Sequence, residues 1–100
     1  MKHICPITKT MKFLSKKWTL LILKELKEEK RNFFELMKDL DGISTATLSK
    51  RLKEMEKNGI IYSKKIKSAP PKKEYFLTKK GIELVKIFDQ VAKWSYKYNR

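Results

Sequence analysis

The sequence predicts a mainly helical domain with one small β-hairpin, arranged as a winged helix-turn-helix. Three observations predict it. Residues 43–61 run from Ile43 through a small, hydroxyl-rich start and one apolar stripe to an Asn58-Gly59 stop, the signature of a helix marked at both ends. Two strand-like runs follow, joined by a lysine-rich loop holding Pro70-Pro71. The chain carries 25 Lys plus Arg against 11 Asp plus Glu, a formal net charge of +14. Such a balance selects a polyanion as partner.

One hundred residues make one domain, 1–100. At 41% hydrophobic the chain can build a core, burying roughly 65% of its unfolded surface. No apolar run reaches the ~18 residues that a membrane span needs, and the N-terminus lacks a signal-peptide apolar segment. Cys5 is the only cysteine, which excludes an internal disulfide and fits a reducing cytoplasm. Arg31, Arg51 and Arg100 are the only arginines, so paired-donor reading of guanine is scarce while lysine attraction for phosphate is abundant.

Ile7, Met11 and Leu14 recur at i, i+4 and i+7, predicting a short helix over 8–14. Trp18 to Glu28 reads as a second helix, with Trp18, Leu20, Leu21, Ile22, Leu23 and Leu26 all around it; it should be the most buried element. Arg31-Asn32 reads as a very short strand, and Phe34 to Leu40 as a third helix burying Leu36, Met37 and Leu40. Asp41-Gly42 signals a turn. Ser44 caps the next helix, about 44–58, with Leu48, Leu52 and Met55 inward. Gly59 takes the left-handed position that ends it. The wing spans about 60–77: a strand Ile60–Lys67, the proline loop, and a return strand Glu74–Leu77. Thr78 caps a last helix, about 79–98.

The helix at 44–58 carries the candidate recognition surface. Ala46, Ser49, Lys50, Lys53 and Lys57 lie opposite its apolar stripe. The small residues Ser44, Thr45, Ala46 and Thr47 let its N-terminal end enter a major groove. The hydroxyls of Thr45, Thr47 and Ser49 suit base edges or phosphates, while Lys50 and Lys53 suit phosphates. A lysine-faced helix alone is an ordinary solvated surface; the preceding helix-turn and the wing favour DNA. Lys64, Lys65, Lys67, Lys72 and Lys73 place charge around the wing for a backbone or minor-groove contact, though edge lysines also discourage strand pairing.

The last helix has more apolar surface than a monomer can cover. Leu84, Ile87, Phe88, Val91, Trp94 and Tyr98 form one stripe, which Ile82, Val85, Ala92 and Tyr96 widen. Self-association is the economical cover, with Ile87, Val91, Trp94 and Tyr98 meeting Ile7 and Met11 of the N-terminal segment across a two-fold axis. Cys5, near Lys2, His3 and Lys9, has the positive surroundings that lower a thiol pKa and is the candidate redox sensor; a lone cysteine is more often a packing residue. His3 has no metal-ligand spacing, and no catalytic constellation or phosphate-cradling glycine loop is present, so neither metal, cofactor nor enzymatic activity is expected.

These residues together resemble the HxlR-type winged-helix transcriptional regulators of bacteria and archaea, relatives of the MarR proteins. The resemblance runs from Cys5-Pro6 and Lys17-Trp18 with the aliphatic run Leu20 to Leu23, through Phe33-Phe34-Glu35-Leu36 and Gly42-Ile43-Ser44, to Leu48, Leu52, Met55, Glu56 and Gly59. Its most specific segment is Pro70-Pro71-Lys72-Lys73-Glu74-Tyr75-Phe76-Leu77-Thr78, with Gly81 following. The resemblance implies a homodimer, and an oxidant or electrophile effector acting at Cys5; a small-molecule effector is a further option. Two positions depart from the pattern. Ser15-Lys16 stands where members often have Gly-Gly, which bears on the turn. Phe34 stands where a helix-starting Asn or Ser is usual, which implies a poorly fixed start to the third helix.

The expected function is sequence-specific binding of double-stranded DNA by a homodimer that regulates transcription in the cytoplasm. Half-sites would lie about one turn apart, about 34–36 Å. A sequence-tolerant architectural DNA-binding protein is the alternative, favoured by lysine abundance. An RNA-binding winged helix is a weaker one, since it needs exposed aromatics and the aromatics fall mostly on stripes expected to be buried.

Overall fold

The computed structural model describes residues 5–99. Lys2, His3 and Arg100 lie outside the described residues. Helix α1 spans Pro6–Leu14, two residues longer at its start than periodicity predicts. Proline at the first helical position explains the gain: its fixed φ suits the helix and its missing N–H is not needed there. Helix α2 spans Thr19–Glu28. Trp18, expected inside it, instead sits just before it with φ of 83°. A left-handed conformation at a bulky residue costs on the order of 1–3 kcal/mol. The left-handed residue of this turn is Trp18, two residues past the Ser15-Lys16 pair that stands where Gly-Gly would ease it. Leu14, Trp18 and the carbonyl of Lys17, which accepts from Arg51 Nε at 3.0 Å, hold it.

Strand β1 is Arg31–Asn32, and helix α3 spans Phe33–Asp39. The expectation of a poorly fixed start at Phe34 is corrected. Asn32 is the cap: its side chain accepts from the Glu35 N–H at 2.8 Å, and the Asn32 N–H donates to Glu35 Oε1 at 2.9 Å. This reciprocal capping box satisfies two otherwise orphaned donors. Helix α4 spans Thr45–Lys57, capped as expected by Ser44, whose hydroxyl accepts from the Thr47 N–H at 3.1 Å. Gly59 follows with φ of 72°, closing the helix in the left-handed conformation.

Strands β2 (Ile61–Ile66) and β3 (Lys72–Leu77) form the wing, and β1 adds to β3, giving an antiparallel sheet in the order β1-β3-β2. β3 starts two residues before the expected Glu74, because Lys72 and Lys73 pair with Ile66 and Lys65. Helix α5 spans Lys79–Tyr98. Thr78 caps it, accepting from the Gly81 N–H at 3.0 Å and donating to the Gly59 carbonyl at 2.6 Å. Gly81 is demanded by closeness: a Cβ there would stand 2.2 Å from the Ile60 carbonyl oxygen. The wing root and the last helix are therefore locked together.

The core gathers one face of every helix. Ile22, Leu23, Leu36, Leu48, Leu52 and Met55 are its most enclosed side chains. Leu20 and Leu21, expected to be buried with the rest of α2, are exposed. In α5 only Gly81 and Val85 are buried. No helix of the described residues is long and apolar enough to cross a membrane.

Candidate nucleic-acid interface

Helix α4 owes its position to two sets of contacts. Leu48, Leu52 and Met55 seat it in the core. A polar bridge then ties it to the α1–α2 turn: Arg51 Nε donates to the Lys17 carbonyl at 3.0 Å, Arg51 Nη1 donates to Glu54 Oε1 at 2.8 Å, and the Lys16 ammonium pairs with the other Glu54 oxygen. Lys16, and after it Arg51, hold the Glu54 carboxyl below its ordinary pKa. Sequence reading counted Arg51 as a scarce candidate for guanine; the structure commits it to this bridge. Arg31 is committed as well, its Nε on Asp39 at 3.0 Å and Nη1 beside Glu29 at 3.5 Å. Its partners raise its pKa, Asp39 foremost.

With α4 so anchored, Thr45, Ala46, Lys50 and Lys53 are exposed and Ser49 is half-buried on one arc of the helix. Ser44 and Thr47 are placed differently from their neighbours. The Ser44 hydroxyl donates to Thr47 Oγ1 at 2.9 Å while accepting the capping N–H. Much of the hydrogen-bonding capacity of this pair is spent inside the cap.

The wing lysines do not form one surface. Alternation along paired strands puts directly opposed residues on the same face. Ile61, Ser63 and Lys65 of β2 share a face with Leu77, Tyr75 and Lys73 of β3. That face packs toward α4: Ser63 donates to Glu56 at 3.4 Å, and Ile61 and Tyr75 are buried. Burial, and then the charge of Glu56, raise the Tyr75 pKa. Lys65 and Lys73 are cross-strand partners there. Like charges placed opposite repel, so the pair makes a local excess of positive charge beyond the end of the core. Lys64 and Lys72 lie on the other face, with Glu74, which pairs with Lys30 at 3.4 Å. Lys67 is exposed in the loop.

That second face holds a feature the sequence reading missed. Tyr62 and Phe76 are cross-strand partners stacked at 5.1 Å, with Lys64 Nζ 5.9 Å and 5.6 Å from their ring centroids. Alternation from buried Ile61 was the signal that puts Tyr62 outward. The expectation that aromatics lie on buried stripes is likewise corrected: Phe34, Tyr62, Trp94, Tyr96 and Tyr98 are exposed.

Helix α5 lies on the body by the middle of a broad apolar arc. Leu84, Phe88 and Ser95 are half-buried beside Gly81 and Val85. One flank leaves Ile87, Val91, Trp94 and Tyr98 exposed, at 48–61% of their full areas. Ile87 borders a groove of about 420 Å³ lined on the α1 side by Pro6, Thr10 and Phe13; Ile7 and Met11 of α1 are exposed but do not line it. The other flank, with Ala92 and Tyr96, borders a groove of about 370 Å³ toward α2 and the exposed Leu20 and Leu21. Cys5 is exposed immediately before α1. Interaction with the backbone N–H of Thr8 and, next, that of Ile7 lowers its thiol pKa. That cause is the helix start; Lys2 and His3, two of the basic side chains the sequence suggested, lie outside the described residues. Among the described residues no cluster of three or more His, Cys, Asp or Glu is arranged to hold a metal.

Residues 13–100 match the model of the HxlR-like helix-turn-helix family. The chain belongs to that family. An HTH-type transcriptional regulator of Synechocystis is 42% identical over 82 residues, a match spanning 82% of this chain and 61% of that protein's length. A MarR-family transcriptional regulator of Porphyromonas gingivalis W83 superposes with a TM-score of 0.85 at 33% identity, over 98% of this chain and 96% of that one. The redox regulator HypR in its oxidized form superposes with a TM-score of 0.83 at 29% identity, over 93% and 96% of the two chains. The family is one of transcriptional regulators, not enzymes, and the winged helix-turn-helix read from the sequence is its fold.

Proposed function

We propose that this HxlR-family regulator binds double-stranded DNA sequence-specifically as a homodimer. Each protomer lays the first turns of α4 in a major groove, with the wing along the backbone or in the adjacent minor groove. One observation carries the reading: α4 leaves the arc Thr45–Lys53 largely uncovered and the wing face packed toward it carries Lys65 and Lys73, while the uncovered apolar residues Ile87, Val91, Trp94 and Tyr98 belong to a different helix, α5. Charge and uncovered apolar surface are thus carried by different elements. The first flank of α5 and the exposed Ile7 and Met11 form the dimer contact, and two-fold symmetry sets an inverted-repeat site.

Cys5 is the proposed point of control by an oxidant or electrophile. It is exposed, its pKa is lowered, and it starts the helix that carries Ile7 and Met11 into the dimer contact. No second cysteine exists, so oxidation ends in a sulfenic acid, a capped thiol or a bridge between protomers. Alkylation of the folded dimer that proceeds quickly and changes DNA affinity, with Cys5→Ser unresponsive, supports this role.

The decisive experiment is selection from a random DNA library followed by binding across a salt series. About five phosphate-contacting lysines per protomer neutralise roughly ten phosphates, giving a log–log salt slope of about −9. Removing Lys65 and Lys73 should flatten the slope more than removing Lys64 and Lys72. A slope shallower than about −3 removes the lysine surfaces from the DNA. Enrichment of no sequence favours the architectural reading. The stacked Tyr62–Phe76 pair under Lys64, with Tyr62 exposed and Phe76 half-buried, is the one observation that favours contact with RNA, and competition between duplex DNA and RNA tests it.

A further inference from the structure

The reading surface of α4 has an unusual chemistry once its commitments are subtracted. Both described arginines are turned to carboxylates and a carbonyl: Arg31 and Arg51 are only 18% and 16% exposed at their side chains. Ser44 and Thr47 are hydrogen-bonded to each other in the cap. What the first turn of α4 offers outward is Thr45 and Ala46, both exposed. Each carries a methyl group: Thr45 Cγ2 and Ala46 Cβ. Ser49 and Lys50 follow one turn later, behind them on the same arc.

In a major groove the residues that reach base edges come from the N-terminal end of the recognition helix. A guanine there is read best by arginine donors, which this end lacks. The one base edge in the major groove that presents an apolar group is thymine, through its C5-methyl, and alanine and threonine methyls are its natural partners.

We propose that the first turn of α4 reads thymine by methyl contact, Thr45 and Ala46 each packing on a C5-methyl, so that each half-site presents A·T pairs at the positions this turn faces. The proposal rests on α4 being the helix that enters the major groove, and it adds the base identity and the atoms that select it. Lys50 and Lys53 then hold the backbone and supply affinity without choosing the base.

The test begins with the site enriched from a random library. Each of its thymines is replaced singly by deoxyuridine, which deletes the C5-methyl and leaves every hydrogen-bonding group. Affinity is measured at constant salt. Loss of one buried methyl corresponds to about a fourfold weakening, taking ~0.8 kcal/mol per buried CH2. Replacing symmetry-related thymines in both half-sites should weaken binding about fifteenfold. Thr45→Ser removes the methyl and keeps the hydroxyl; it should abolish the thymine–uracil ratio at its position. Thr45→Val keeps a methyl and removes the hydroxyl; it should preserve that ratio. Ala46→Gly should abolish the ratio at the neighbouring position. Because each ratio compares two DNAs on one protein, any change in helix stability cancels.

The proposal is overturned if no deoxyuridine replacement weakens binding, if the ratios survive in both Thr45→Ser and Ala46→Gly, or if Thr45→Val loses its ratio as fully as Thr45→Ser. A preferred site that is G·C-paired opposite this turn overturns it while leaving the regulator reading intact. A library that enriches no sequence overturns the sequence-specific reading and this proposal with it.

Discussion

Helices α2 and α5 are each half apolar in sequence and end in different surroundings. In α2, Thr19, Ile22, Leu23 and Leu26 are buried. In α5, twice as long, only Gly81 and Val85 are, while Ile82, Ile87, Val91, Trp94, Tyr96 and Tyr98 are exposed. The difference teaches that apolar content states a need for cover, and that position in the fold decides what provides it. α2 lies against α1, α3, α5 and β3, so neighbours of its own chain cover Thr19, Ile22, Leu23 and Leu26, while Leu20 and Leu21 stay exposed. α5 comes last and rests on a body already closed by other elements. Its middle finds cover, and its two flanks do not.

The largest test of this contrast is Ile22→Ala. Ile22 is fully enclosed, so truncation should cost about 2–5 kcal/mol of stability, measured by urea unfolding and equal at every protein concentration. Val91→Glu probes the other helix. If the exposed flank of α5 is the dimer contact, an unpaired charge there should cost about 2–4 kcal/mol of association and shift sedimentation toward monomer, with a strong concentration dependence. A wild-type chain that sediments as a monomer at micromolar concentration would leave the flank without its proposed cover.

The smallest effect locates the boundary between the two regions. α1 belongs to both: Leu14 is buried in the core, while Ile7 and Met11 stay exposed. The Lys16–Glu54–Arg51 bridge joins the end of α1 to α4. Its side chains are partly exposed, so Glu54→Gln should cost about 1 kcal/mol at pH 7. Glu54 has a folded-state pKa below its ordinary 4.5. Its contribution is therefore complete above that ordinary value and disappears as pH falls through the folded value. Stability curves of wild type and Glu54→Gln should converge in acid; curves that stay parallel would show that the bridge carries no net charge interaction.

Much of the local structure was legible because its causes are local. Ser44, Gly59 and Thr78 act through hydrogen bonds or dihedral angles within a few residues, and each stands where its chemistry predicts. Asn32 was legible too, through Glu35 three residues on. The position was misread because Phe34 drew attention to the wrong cap. The division of the wing lysines between two faces also follows from strand alternation, once the register beginning at Ile61 and Leu77 is known. The commitment of Arg51 was not legible. Its partner carbonyl at Lys17 lies 34 residues away, and nothing in either segment names the other.

By itself the sequence determined the order of elements, the capped helix α4, the basic surface and the surplus of apolar residues in the last helix. These are set by short-range hydrogen bonding, backbone preference and composition, which act along the chain. Only the tertiary structure decided that both described arginines are spoken for, that Lys65 and Lys73 face α4 while Lys64 and Lys72 do not, and that α5 leaves a flank open on either side. Those outcomes depend on which distant segments come to lie against one another, and packing between segments far apart in the chain is what a single sequence pattern does not encode locally.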